Sequence, residues 1–308
     1  MSRRYHVIVN DAAGSVGEVT TQLAEITSAF ADVAVAVTTD AVSADALPDA
    51  MRAAWQRGID AIVVAGGDGT VNCAAQVAVE NDIVLGVLPM GTFNHFAKDL
   101  GMTAELDAAV QFLAGAEVTN VDVGEVNARV FINNASIGVY PKMVDERDEL
   151  RARRGWGKLR AAPVAIVRTL RGLPVHRLRL TIDGAPAVQV ETPLLFVGNG
   201  LFDEHGQRVG QRTSLSDHRL GVYVIATSSR WRLVANAVRA RLGGVGAAPG
   251  MERRAAEEVI IDSSEPTLLV ALDGEPTELR APLTFRSRPG ALRVLASPAR
   301  TERSEAPG

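Results

Sequence analysis

Cysteine is almost missing from this chain, with one, Cys73, in 308 residues. A single cysteine forms no internal disulfide, which excludes a disulfide-stapled secreted scaffold and points to a reducing compartment. Cys73 lies just inside a helical run, where a thiol pKa falls, but a small packing residue is the simpler role. Strong charge of either sign is lacking as well: the net charge is −4, so no global field suits nucleic acid. No apolar run approaches the ~20 residues that span a bilayer. The first residues, MSRRYHVIVN, pass from two arginines straight into a strand. Without an apolar h-region there, the expectation is no secretory signal and a cytoplasmic protein. There is no internal repeat. Hydrophobic residues make up 47% of the chain, ample for packed cores at a length that fits two domains.

What is present centres on Asp60 to Asn72, DAIVVAGGDGTVN. Ala61 to Ala65 is wholly apolar, as a buried parallel strand reads. Gly66, Gly67, Asp68, Gly69 and Thr70 follow, and then a helical run from Val71 to Glu80. A strand, a glycine turn and a helix N-terminus make a phosphate-binding arrangement: N–H groups point outward, the helix dipole favours an anion, and glycine lets the backbone approach it. The loop is neither a P-loop nor GxGxxG, so a nicotinamide-dependent oxidoreductase is excluded. It carries an acid instead. Asp68 tolerates a polyphosphate only with a divalent cation between them, and Mg²⁺ takes carboxylate plus phosphate oxygens.

Alternating elements frame this loop. Strands are expected at Tyr5–Asn10, Val33–Thr38, Ala61–Ala65 and Ile83–Leu88, with helices at Val16–Phe30, Ala44–Arg57, Val71–Glu80, Asn94–Leu100 and Leu106–Leu113. That alternation predicts a parallel sheet with helices on both faces, whose ligands sit beyond the carboxyl ends of the strands. The NDAAGS, GGDGT and MGTFN loops all fall there. Near Val121 the texture changes. Asp122 to Val139 alternates like strands with a tight turn around Asn127, and further short strands are expected at 178–182, 187–190, 194–197, 220–226, 258–261, 268–272, 283–285 and 292–295. Short strands between Gly, Pro and Asp turns predict an all-β antiparallel, sandwich-like second domain. The expected division is 1–122, 123–297 and a polar, disordered tail at 298–308, with the last strand free to return to the first domain. Arg151 to Arg179 stands apart, with nine Arg/Lys, no acid, and Trp156 among the charges. Such a stretch suits an anionic membrane surface, or its arginines pair with Asp145 to Glu149.

Three motifs in order carry a resemblance. GGDGTVN resembles the nucleotide loop of diacylglycerol kinases, sphingosine kinases and NAD kinases. PMGTFNHFAKDLG, Pro89 to Gly101, resembles the PxGTxNDFAxxLG segment of the lipid kinases rather than the NAD kinases, and LDGEP, Leu272 to Pro276, resembles their catalytic segment. The chain is thus similar to the bacterial soluble diacylglycerol/lipid kinase family. The resemblance implies a kinase that binds ATP and Mg²⁺ between its domains and moves the γ-phosphoryl group to a lipid alcohol, with transient membrane association. An NAD kinase-like enzyme and a non-catalytic lipid- or nucleotide-binding regulator are the alternatives.

The resemblance also assigns residues. Gly66, Gly67, Asp68, Gly69, Thr70 and Asn72 would cradle the phosphates, with a hydroxyl from Thr92. Asn10 heads a loop that reads NDAAG where the family has NPxxG, and Thr38, at the end of the second strand, matches a threonine near the nucleotide. Asp273 and Glu275 are the candidate bases. Alternate residues of an extended segment face one side, so both carboxylates can reach one site. Asp68 and Asp122 match two members of an acidic magnesium network, in which His95 replaces a third. A neutral imidazole does not replace that charge. SLSDHRLGV resembles a structural metal segment, which implies ligation by Asp217 and by the main-chain carbonyls of Ser214 and Arg219. There His218 replaces the usual glycine.

Overall fold

The structure, a computed structural model, describes residues 3–11, 16–138, 175–202, 212, 214–225 and 251–297. It divides into two compact units, Met1–Val123 with Ser214–Asp217 and Pro289–Gly308, and Gly124–Thr213 with His218–Arg288.

The first unit is a parallel α/β layer. Strand β1 (Arg3–Asn10) lies between β2 (Val35–Val42) and β3 (Ala61–Gly66), and β4 (Val84–Pro89) pairs with the far side of β3, all in parallel. The next strand along is the second half of β16 (Leu283–Ala296), through Arg293 and Val294. Every residue of β3 is buried, which requires both faces of the sheet to be covered. Helices α1 (Val16–Ala31) and α5 (Leu106–Gly115) pack together, as do α2 (Leu47–Trp55) and α3 (Asp68–Asn81). A short helix, α4 (His95–Leu100), follows β4 and ends at Gly101, whose φ of +87° suits glycine at that cap.

The second unit is antiparallel, as expected. One sheet runs β12 (Met251–Ala256), β11 (Leu220–Ile225), β10 (Leu194–Asn199), β7 (Asn134–Gly138), β14 (Thr267–Leu272) and β15 (Glu275–Arg280). Facing it are β9 (Val188–Thr192), β8 (His176–Ile182), β13 (Glu258–Ser263) and the first half of β16. The last residues of β5 (Glu117–Val126) form a hairpin with β6 (Arg129–Phe131). Ile137, Val197, Val222 and Val270 from one layer share a buried core with Leu180, Ile261 and Phe285 from the other. This is sandwich packing.

Several expected boundaries are corrected. Helix α3 begins at Asp68 rather than Val71, so Asp68, Gly69 and Thr70 form its first turn. Strand β2 runs on to Val42, which leaves Thr38 in mid-strand. The strands expected at 283–285 and 292–295 are one strand of 14 residues, and β12 and β15 were not expected at all. Within the basic stretch, 151–174 lies outside the described residues. Its last part enters β8, where Arg177 pairs with Glu191 at 2.7 Å and Arg179 pairs with Asp262. The tail at 298–308 is also outside the described residues. Among the described residues no helix is long and apolar enough to cross a membrane.

Candidate functional site

Two glycine turns meet at the carboxyl ends of β3 and β4. The strands are in register at Gly66 and Pro89, and the N–H of Met90 donates to the carbonyl of Gly66 at 3.0 Å. Beyond this point Gly67 and Gly91 touch backbone to backbone. A Cβ on Gly91 would lie 2.7 Å from the Cα of Gly67 and 2.8 Å from Oδ1 of Asn94. Only glycine permits that approach. Behind it, a Cβ on Gly66 would lie 2.7 Å from the Thr70 side chain.

Side chains lock these turns from below. Asn94 adopts left-handed backbone geometry (φ +51°), which asparagine tolerates. Its Oδ1 accepts the N–H of Gly91 at 2.9 Å and its Nδ2 donates to the Gly91 carbonyl at 2.8 Å. Asp68 then joins one turn to the other: Oδ2 accepts the N–H of Asn94 at 3.0 Å and Oδ1 that of His95 at 2.8 Å. Asn10, at the end of β1, donates from Nδ2 to the Thr70 hydroxyl at 2.7 Å. No side chain caps α3, whose N-cap is Gly67 in extended geometry. The N–H groups of its first turn are therefore available for an anion, with the dipole of 14 residues behind them. Thr92 is exposed on the second turn, beside Phe93.

The structure thus brings Asn10, Gly66, Gly67, Asp68, Gly69, Thr70 and Thr92 together. Asn72 sits two residues past Thr70 on α3. Thr38 is not with them. Its partner across the ladder is His6, four residues before the end of β1, or about 13 Å along the strand. The Thr38 hydroxyl meets Nδ1 of His6 at 2.7 Å, while Nε2 lies 3.2 Å from the Asp40 carboxylate. Burial pushes the imidazole below its usual pKa, against the pull of Asp40 and with the help of Arg57.

Asp122 is buried. Its Oδ1 accepts the N–H of Gly290 at 2.8 Å, and its own N–H donates to the carbonyl of Leu215 at 2.8 Å. It therefore anchors β16 and the segment that carries Ser214 and Asp217. His218 keeps the left-handed turn (φ +59°) that the usual glycine would supply. The Arg219 carbonyl accepts the N–H of Gly200 at 3.0 Å, which leaves its second lone pair for other partners. Among the described residues no group of three or more His, Cys, Asp or Glu side chains is placed to hold a metal ion.

Asp273 and Glu275 do not lie in one extended segment. Leu272 pairs with Glu275, and Asp273 (φ +48°) and Gly274 (φ +93°) form a two-residue hairpin turn between them. Asp-Gly favours this turn because both positions need positive φ. The Asp273 carboxylate accepts the N–H groups of Ile132, Asn133 and Asn134 at 2.7–2.8 Å. Glu275 is exposed. Sequence reasoning picked neither Gly91 nor Asn94 as a site residue. The signal was there, since a glycine just past a strand and an asparagine three residues later match a turn that brackets its own backbone.

The fold and this glycine crossing define an α/β unit with an uncapped glycine turn at a helix start, carried on the same chain as a β-sandwich. Residues 4–126 match the family model described as "Diacylglycerol kinase catalytic domain", and residues 135–296 match the "YegS C-terminal NAD kinase beta sandwich-like domain". A diacylglycerol kinase of Mycobacterium tuberculosis is 29% identical over 190 residues, 60% of each chain. A candidate YegS-like lipid kinase of Pseudomonas aeruginosa is 30% identical over 77% of this chain and 76% of its own length. The crystal structure of a candidate diacylglycerol kinase from Bacillus anthracis str. Sterne superposes with a TM-score of 0.71 at 24% identity, over 97% of this chain and 98% of that one. The chain belongs to the family of diacylglycerol kinases and YegS-like lipid kinases.

Proposed function

We propose that the protein is an ATP-dependent lipid kinase that phosphorylates a lipid alcohol, with diacylglycerol converted to phosphatidic acid. The observation that carries this reading is the locking of two glycine turns by Asp68 and Asn94 against the uncapped start of α3. It offers fixed amides where phosphate oxygens need donors, and phosphoryl transfer asks chiefly for positioning and neutralised charge. Mg²⁺ bound with the triphosphate would supply that neutralisation. It needs only one or two carboxylates beside phosphate oxygens and water. Asp68 fits this demand, because each of its oxygens accepts one N–H and keeps a lone pair. Asp122, and separately Asp217 with the Ser214 and Arg219 carbonyls, are the further metal positions of this reading.

In the reaction the lipid hydroxyl oxygen bonds to the γ-phosphorus, the bridging bond to the β-phosphate oxygen breaks, and ADP leaves. The hydroxyl proton passes to a carboxylate, for which we choose Glu275. Asp273 already spends three acceptor sites on backbone N–H groups, two at Oδ1 and one at Oδ2, whereas Glu275 is exposed at the start of β15. The lipid is met at a membrane surface, for which the basic stretch 151–179, apart from the paired Arg177 and Arg179, supplies the charge.

Transfer of radiolabelled γ-phosphate to dispersed diacylglycerol, with NAD as the competing acceptor, tests this. Label is expected in phosphatidic acid with the parent and lost with Asp68→Ala and Glu275→Ala. Label in NADP, or variants that turn over like the parent, would overturn the reading.

A further inference from the structure

Phe93 is 63% exposed, the one aromatic side chain among the exposed large hydrophobic residues described. An aromatic ring held out in water is unfavourable unless something covers it. This ring is not held loosely. It stacks on the imidazole of His95, with centroids 5.7 Å apart and planes 11° from parallel. His95 is itself fixed, because its N–H is bound by the same Asp68 that opens α3. Two residues before Phe93, Gly91 touches the Gly67 backbone. The ring therefore projects from the scaffold that positions the glycine turns, turned toward His95 and with most of its surface exposed.

We propose that the outer face of Phe93 stacks against the purine base of the nucleotide, with His95 as the positioning residue that holds the ring flat. The inference rests on the phosphate site assigned above and adds the base subsite to it. A planar base stacks on an aromatic face with sequence-tolerant energy, and a second ring behind the first fixes its orientation.

Isothermal titration of the full-length chain separates base from phosphate. The probes are ATP and inorganic tripolyphosphate, each with Mg²⁺. Phe93→Ala is expected to weaken ATP about tenfold and to leave tripolyphosphate within about twofold. Phe93→Trp restores ATP affinity, and His95→Ala gives an intermediate loss for ATP alone. Equal weakening of both probes by Phe93→Ala would show a merely structural ring. Unchanged ATP affinity together with lost binding to diacylglycerol-containing vesicles would assign the face to lipid. Either result overturns the inference. A parent that binds ATP with this pattern but phosphorylates no lipid alcohol would sink the kinase reading and leave the base subsite standing.

Discussion

At the scale of single residues, two neighbouring acids divide into different tasks. Asp273 accepts three backbone N–H groups from the turn that leads into β7, and charged hydrogen bonds of this kind are among the stronger ones. Asp273→Ala is expected to cost about 3 kcal/mol in urea unfolding, since it leaves several donors unpaired. Glu275→Gln should leave the unfolding midpoint in place and abolish transfer. A Glu275→Gln protein with parental turnover would remove Glu275 as the base. His6 makes a different prediction. Its folded pKa lies below the ordinary 6.5 because burial disfavours the charged ring. The neutral ring donates from Nε2 to Asp40, which accepts only, so Nδ1 accepts from Thr38. The unfolded chain binds a proton below about 6.5 while the folded one does not, so stability should be full above that pH and fall as pH drops toward the lowered pKa. Urea midpoints from pH 8 to 5.5 should fall more steeply for the parent than for His6→Gln. Equal slopes would show that His6 does not titrate differently in the two states.

At the scale of elements, the glycine turns behave as one part. Gly91→Ala would place its Cβ against the Gly67 main chain and Asn94 Oδ1, and the main chain does not yield as a flexible side-chain end would. A cost of about 1–3 kcal/mol is expected, with loss of ATP binding in titration. Parental affinity in a folded Gly91→Ala protein would mean that the contact is not needed. What was legible here followed from local chemistry. The buried run Ala61–Ala65, the glycines after it and the Gly101 stop were all readable, because each depends on its own neighbours. The start of α3 was not. Asp68-Gly69-Thr70 reads as loop because glycine is a poor helix former, yet it forms the first turn of α3 with Asp68 bonded to the second turn. Thr38 was misplaced because the end of a β-strand depends on its neighbour: β2 continues to Val42 as the parallel partner of β1. Strands β12 and β15, MERRAA and EPTELR, are too polar to show burial by alternation. Among the described strands both lie at an edge of their sheet, where exposed charge is favoured. The double role of Asp68 was hidden for a similar reason, since its partners Asn94 and His95 lie 26 and 27 residues away.

At the scale of the whole molecule, sequence order and structural unit part company at β16. Its 14 residues begin in the second unit, paired with β13 through Leu283 to Arg286, and finish in the first, paired with β4 through Arg293 and Val294. In the first unit Leu292, Val294 and Leu295 are at most 2% exposed, and Leu295 packs within 3.3 Å of where a Cβ on Gly86 would stand. The α/β layer is therefore incomplete until the end of the chain is made, although most of it is encoded before Gly124. Two consequences can be measured. Leu292→Ala should destabilise the first unit by about 2–5 kcal/mol, as a fully buried leucine does on truncation. A chain ending at Arg288 should fail more completely, because β4 would lose its parallel neighbour and expose an apolar edge. Limited proteolysis should then cut within α2 to α5 while the parent resists, and hydrogen exchange should show β3 and β4 unprotected. Protection of β3 in the shortened chain, equal to the parent's, would show that the first 123 residues fold without the strand they are built to receive.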